Sequence, residues 1–140
     1  MLEALTERKL SIALLSAAAV VAAAALVLFR YVDPNASDSK LPGCLFYAMT
    51  HLYCIGCGVT RALHALAHGD VLGALAMNPL GVAMTVIGPL MLLHTAGWRP
   101  SGLQPVMRWL LSARFWLILL PTYWIARNLP WWPFSWLAPG

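Results

Sequence analysis

Residues 10–29 read "LSIALLSAAAVVAAAALVLF", a run of 20 apolar or small side chains without a charge. At about 1.5 Å per helical residue this run matches a hydrocarbon core of about 30 Å, so it predicts a helix that crosses a bilayer. Arg8 and Lys9 in front of it would also suit the start of a secretory signal. Leu26 to Phe29, however, continue the apolar run where a cleaved peptide turns polar, so an uncleaved span is expected.

The rest of the composition follows that reading. Hydrophobic residues make up 61% of the 140-residue chain, charged residues 10%, and mean hydropathy is +0.73. A soluble domain carries about a quarter charged residues. The net charge is +4 and the pI near 9.3, but the nine Lys and Arg are scattered singly at the edges of apolar runs. They form no basic patch, which argues against nucleic-acid binding and reads them as topology signals. The seven Trp fit bilayer interfaces, and "WWPFSW" at 131–136 reads as an interfacial belt.

Beyond the first span, Arg30 to Gly43 is rich in Asp, Ser, Asn and Pro and is expected to form an aqueous loop. Cys44 to His68 is only moderately apolar and broken by Gly56 and Gly58. It reads as two short helices at the membrane surface, or partly dipped into it, joined at a cysteine turn. Gly69 and Asp70 form a stop and an N-cap, and Asn78 with Pro79 repeats the start signal, so a two-turn helix over 70–77 should lead into a second span over 79–97. Gly88 and Pro89 predict a kink there, with Thr85 placed to bond locally. A third span over 109–125 is interrupted by Pro121. The expected fold is thus a single all-α integral membrane domain, 1–140, with three transmembrane helices (10–29, 79–97, 109–125) and a cysteine-containing helical hairpin, 44–77, between the first and second.

With the N-terminus cytoplasmic, Arg8, Lys9, Arg99, Arg108 and Arg114 lie inside and Arg30, Lys40, Arg61 and Arg127 outside. The contrast favours that orientation in a bacterial inner membrane, weakly.

The chemistry-bearing stretch is "CIGCGVTR", residues 54–61. A Cys-x-x-Cys-Gly turn before a helix puts sulfur near free backbone N–H groups, which favours thiolate, and Gly56 and Gly58 suit the positive φ such a turn needs. Cys57, Arg61, His64 and His68 are spaced four, three and four, which places them on one helical face. Three readings stay open. Zinc could take Cys44, Cys54, Cys57 and one of His51, His64 or His68, or a homodimer could contribute the pair twice; a strong zinc signal, though, has two such knuckles and this chain has one. A thiol oxidoreductase would use Cys54 as attacking and Cys57 as resolving thiol, although no thioredoxin-like pattern surrounds them. Finally, the cysteines could simply hold the hairpin together, with the histidines interfacial. For Arg61 the expected partner is Asp70, the one acid between Asp38 and the C-terminus, with a lipid phosphate as the alternative.

Cys54-Ile55-Gly56-Cys57-Gly58-Val59-Thr60-Arg61, followed by Gly69-Asp70 and Asn78-Pro79, resembles a bacterial domain-of-unknown-function family of small membrane proteins. That family is marked by Cys-Pro-x-Cys-Gly-x-Thr-Arg, then Gly-Asp, then Asn-Pro. The resemblance covers roughly Cys44 to Pro89, and departs where Ile55 stands in place of proline. It implies a membrane location and draws attention to Cys54, Cys57, Gly58, Thr60, Arg61, Asp70 and Asn78, while His51, His64 and His68 lie outside the pattern. It implies no activity.

No Ser-His-Asp set, carboxylate pair or phosphate loop is present, which argues against hydrolase, glycosidase and nucleotide chemistry. The expectation is a non-enzymatic membrane component whose cysteine turn binds a partner, lipid or metal, zinc among them. Its neighbours would be the bilayer and a membrane-protein partner or second copy. The rival is a membrane thiol-disulfide oxidoreductase using Cys54 and Cys57.

Overall fold

The apolar run opening at Leu10 lies within one long helix, α1 (Leu2–Tyr31), in a computed structural model that describes residues 2–36 and 43–139. All elements among the described residues are helical: α2 (Leu45–Thr50), α3 (Val59–Ala67), α4 (Val71–Met77), α5 (Pro79–Thr95), α6 (Gln104–Leu110) and α7 (Ala113–Arg127). Short 3-10 turns add Ser101–Leu103 and Phe134–Leu137. Lys40 and Asp38 of the expected aqueous loop lie outside the described residues.

Within α1, Ser11–Tyr31 is long and apolar enough to cross a membrane alone, and none of it is buried within the protein. Two further crossings exist only if each bent helix pair counts as one: α4 with α5, bent by 110°, and the segment Ser101–Leu110 with α7, bent by 61°. The first bend is encoded locally. Asn78 adopts an extended backbone, its side chain accepts the Gly81 N–H at 2.8 Å, and Pro79 occupies the first turn of α5. Asp70 caps α4 in the same way, accepting the Gly73 N–H at 2.8 Å. The carboxylate expected to meet Arg61 is thus used on its own helix.

One of the two proline expectations changes. α5 runs continuously through Pro89 to Thr95, and Thr85 Oγ1 donates to Val82 O at 2.7 Å. α7 likewise runs through Pro121; the interruption falls about ten residues earlier, at Leu111 and Ser112, so Trp109 belongs to α6. There the indole N–H of Trp116 donates to Leu110 O at 2.6 Å, satisfying a carbonyl the break would leave bare.

The elements converge at one end. α3 packs against α1, α4 and α5, and α7 returns from the far end of α5 to bring Arg127 to the cysteine turn. α1 is joined at its C-terminal end. His64 Nδ1 donates to Phe29 O (2.8 Å) and Val32 O (3.1 Å), Arg30 Nη1 donates to Ala67 O (3.1 Å), and His64 Nε2 lies 3.7 Å from Asp33. The Asn35 backbone N–H holds the Asp33 carboxyl below its ordinary range, with the nearby His64 adding to this. His64, expected as an interfacial side chain, therefore caps the open carbonyls of the long helix. Its ring lies against that of His68, tilted by 43° at a centroid distance of 4.4 Å.

Replacing His64 with alanine should free those carbonyls and cost about 1–2 kcal/mol. Hydrogen exchange in detergent should then accelerate at residues 29–32 and stay unchanged in α7.

Candidate functional site

The cysteine turn is held from below by side chains that the sequence places far away. Asn78, fully buried, donates through Nδ2 to Ile55 O and Cys57 O, both at 3.0 Å. Arg127, 1% exposed, donates to Ile55 O (3.1 Å), Met77 O (3.1 Å), Tyr123 Oη (3.2 Å) and, in a short contact, Cys57 O. Tyr123 Oη in turn donates to Asn78 Oδ1 at 3.1 Å, which closes a ring of bonds beneath the turn. Beside it, Asn128 pairs with the backbone of Tyr53, accepting its N–H at 2.7 Å and donating to its carbonyl at 3.0 Å. Carbonyls withdrawn from water need such donors, and a guanidinium with its planar fork can serve several at once.

Gly58 explains why the turn can sit so low. Its φ is +81°, and a Cβ there would stand 2.7 Å from Met77 O, so neither the conformation nor the space admits a side chain. Gly56, expected to share this role, is not among the positive-φ residues and has open space around its Cα. It serves the turn through its carbonyl, which accepts the Val59 N–H at 3.0 Å.

On this platform the three cysteines meet. Cys54 Sγ lies 2.9 Å from Cys57 Sγ and 3.4 Å from Cys44 Sγ, and all three sulfurs fall within 4.8 Å of one another. Cys44 arrives from a different segment, as the residue before α2. The Cys54 backbone N–H donates to Cys57 Sγ at 3.1 Å, and the Cys57 N–H to Cys54 O at 3.2 Å. Their environments differ. Cys57 is buried, and burial first of all, then its thiol contacts to Cys54 and Cys44, pushes its pKa up to about 12. Cys44 is partly exposed; the Tyr47 backbone N–H chiefly, helped by the other two thiols, lowers its pKa to about 7.

The remaining sequence candidates separate. Cys57 precedes α3, whose N-cap is Gly58, so it turns inward, away from the face carrying Arg61 and His68. Thr60 and Arg61 are exposed on the first turn of α3. His51 stands outside the sulfur cluster, its ring edge-on to Tyr47 at 6.2 Å, while His64 serves the α1 junction and His68 bonds back to His64 O of its own helix. Among the described residues no imidazole or carboxylate joins the three sulfurs. Tyr123, Arg127 and Asn128 went unrecognised because Arg127 reads as a flanking charge. The signal was present: residues 71–140 contain no Asp or Glu, and Tyr123 and Arg127 are one helical turn apart at the end of an apolar run.

Arg127→Met should take the side-chain donor from Met77 O and leave Ile55 O and Cys57 O with Asn78 alone, at a cost of about 3 kcal/mol, read as a lower melting temperature in micelles. Arg127→Lys should recover part of it, and an unchanged melt for the methionine variant would contradict the anchoring role. In reduced protein, alkylation requires thiolate. Cys44 should therefore label before Cys57, with a midpoint near pH 7, and Cys57 should resist until far higher pH, as peptide mapping after pH-stepped labelling would show.

The chain matches none of the curated proteins or solved structures. A family model does match, over a segment that begins at Cys44 and takes in the cysteine turn, Asp70 and Asn78 but stops short of Tyr123 and Arg127: residues 44–92 are similar to the family described as protein of unknown function (DUF2752).

Proposed function

We propose that this chain is a non-enzymatic, three-span integral membrane protein whose Cys44, Cys54 and Cys57 bind one thiophilic divalent ion, zinc fitting best. The observation that carries this is the convergence of three sulfurs from two segments within 4.8 Å. A tetrahedral ion bound at about 2.3 Å spaces its sulfurs by about 3.8 Å. The sulfurs stand at 2.9 and 3.4 Å from Cys54, so closing around an ion takes shifts of about an ångström or less. Three protein ligands leave a fourth position for an outside group, such as a solvent molecule or a side chain of a membrane partner or second copy.

In this reading α1, α5 and α7 cross the bilayer and α2, α3 and α4 lie at its surface. α5, with 17 residues, extends about 25 Å. The reading puts the N-terminus in the cytoplasm of a bacterium and the cysteine turn on the outer face of the inner membrane. Arg30, Arg61 and Arg127 then share the cysteine end, and Arg99, Arg108 and Arg114 the other, as the charge distribution favours.

A second reading rests on the 2.9 Å approach of Cys54 to Cys57. As a dithiol, Cys54 would attack a substrate disulfide and release one thiol. Cys57 would then displace the second, so that two electrons pass to the substrate and a Cys54–Cys57 disulfide remains.

Protein purified from membranes without chelator should carry about one zinc per chain by elemental analysis. Cys44→Ser should weaken metal affinity by more than about 100-fold. A metal-free protein with a Cys54–Cys57 disulfide would support the dithiol reading instead.

A further inference from the structure

The break between α6 and α7 opens a groove of about 790 Å³ on its concave side. Its rim is polar and basic, with Arg108, Ser112 and Arg114; its wall is Trp109, Phe115 and Ile118, continuing along α7. Trp109 and Ile118 are 69% and 70% exposed. The shape is built in, because the Trp116 bond to Leu110 O fixes the bend. Its arginine rim lies toward the end of α7 away from the cysteine turn, with Arg114 about 20 Å from Arg127 along the helix, and its wall reaches Thr122.

Charge decides what fits. Residues 71–140 contain four Arg and no Asp or Glu, so this half of the chain supplies no side-chain carboxylate for the two rim arginines. Among the described residues, neither guanidinium makes a hydrogen bond or ion pair. Two cations at the head of an open apolar wall match one anionic amphiphile, its charged head at the arginines and its chain along α7. Trp109, in the wall next to Arg108, suits the interfacial depth where phospholipid head groups lie.

We propose that the α6–α7 groove is a binding site for a single anionic phospholipid, its phosphate held by Arg108 and Arg114 and one acyl chain lying against Phe115 and Ile118. The site rests on α7 lying in the bilayer, as proposed above. It is independent of what the cysteine turn binds.

The test is native mass spectrometry of the full chain released from nanodiscs containing equal phosphatidylglycerol and phosphatidylcholine. Wild type should retain one phosphatidylglycerol. Arg108→Gln with Arg114→Gln should lose about 25-fold in preference, two charges at about fivefold each. Arg99→Gln, outside the groove, should leave it unchanged. Equal retention of both lipids by wild type, an unaffected double variant, or a dimer that persists in every lipid mixture would overturn the proposal. Chymotrypsin applied to the intact nanodiscs separates the two failures: cleavage within residues 115–124 refutes the span, whereas an intact α7 without lipid preference refutes the site alone.

Discussion

The guanidinium of Arg127 lies almost wholly inside the protein and bonds to backbone carbonyls of Ile55, Cys57 and Met77. A charge so placed is costly unless its donors are engaged. The acceptors it finds are neutral, and the last turn of α7, where carbonyls point outward, favours a cation. The turn's carbonyls have a matching need, since Gly58 presses them onto the end of α4, out of reach of water. The two terminal nitrogens of Arg127 and the turn's carbonyls answer each other's unmet hydrogen bonds, while Arg127 Nε is buried without a partner among the described residues. That constraint joins the last helix to the middle of the chain.

Other features depend on it. Asn78 occupies the same ring of bonds while capping α5, so the 110° bend from α4 and the position of the cysteine turn are set by one side chain. Asn128 aligns Tyr53, the residue before Cys54. With the turn held from Tyr53 to Cys57, its sulfurs have defined positions, and Cys44 approaches them from α2. The proposed metal centre would thus be supported from α5 and α7, two elements that contribute no ligand. α1 contributes least, attached through His64 and Arg30 at one end.

Much of this was legible in the residues. The apolar run from Leu10, the Gly-Asp and Asn-Pro start signals, and the turn at 54–61 are local features, and local physics places α1, α4, α5 and the cysteine turn where they were expected. What the pattern could not show were contacts across long separations. Arg127 bonds to Cys57 over 70 positions, and from the sequence an arginine at the end of an apolar run looks like a topology signal. The break in the last span lies elsewhere for a related reason. Pro121 carries a clear rule, yet α7 absorbs it, whereas the break at Leu111–Ser112 has no proline and is supported by Trp116. Histidine spacing placed His64 beside Cys57, but its partners are carbonyls at the end of α1.

The proposed zinc centre requires the three sulfurs of Cys44, Cys54 and Cys57 to share one ion. X-ray absorption at the zinc edge, on protein purified from membranes in detergent, tests it directly. The prediction is three sulfur neighbours at about 2.3 Å and one lighter atom. A shell of nitrogen and oxygen alone, or two sulfurs with Cys44 still free to alkylate, would contradict it.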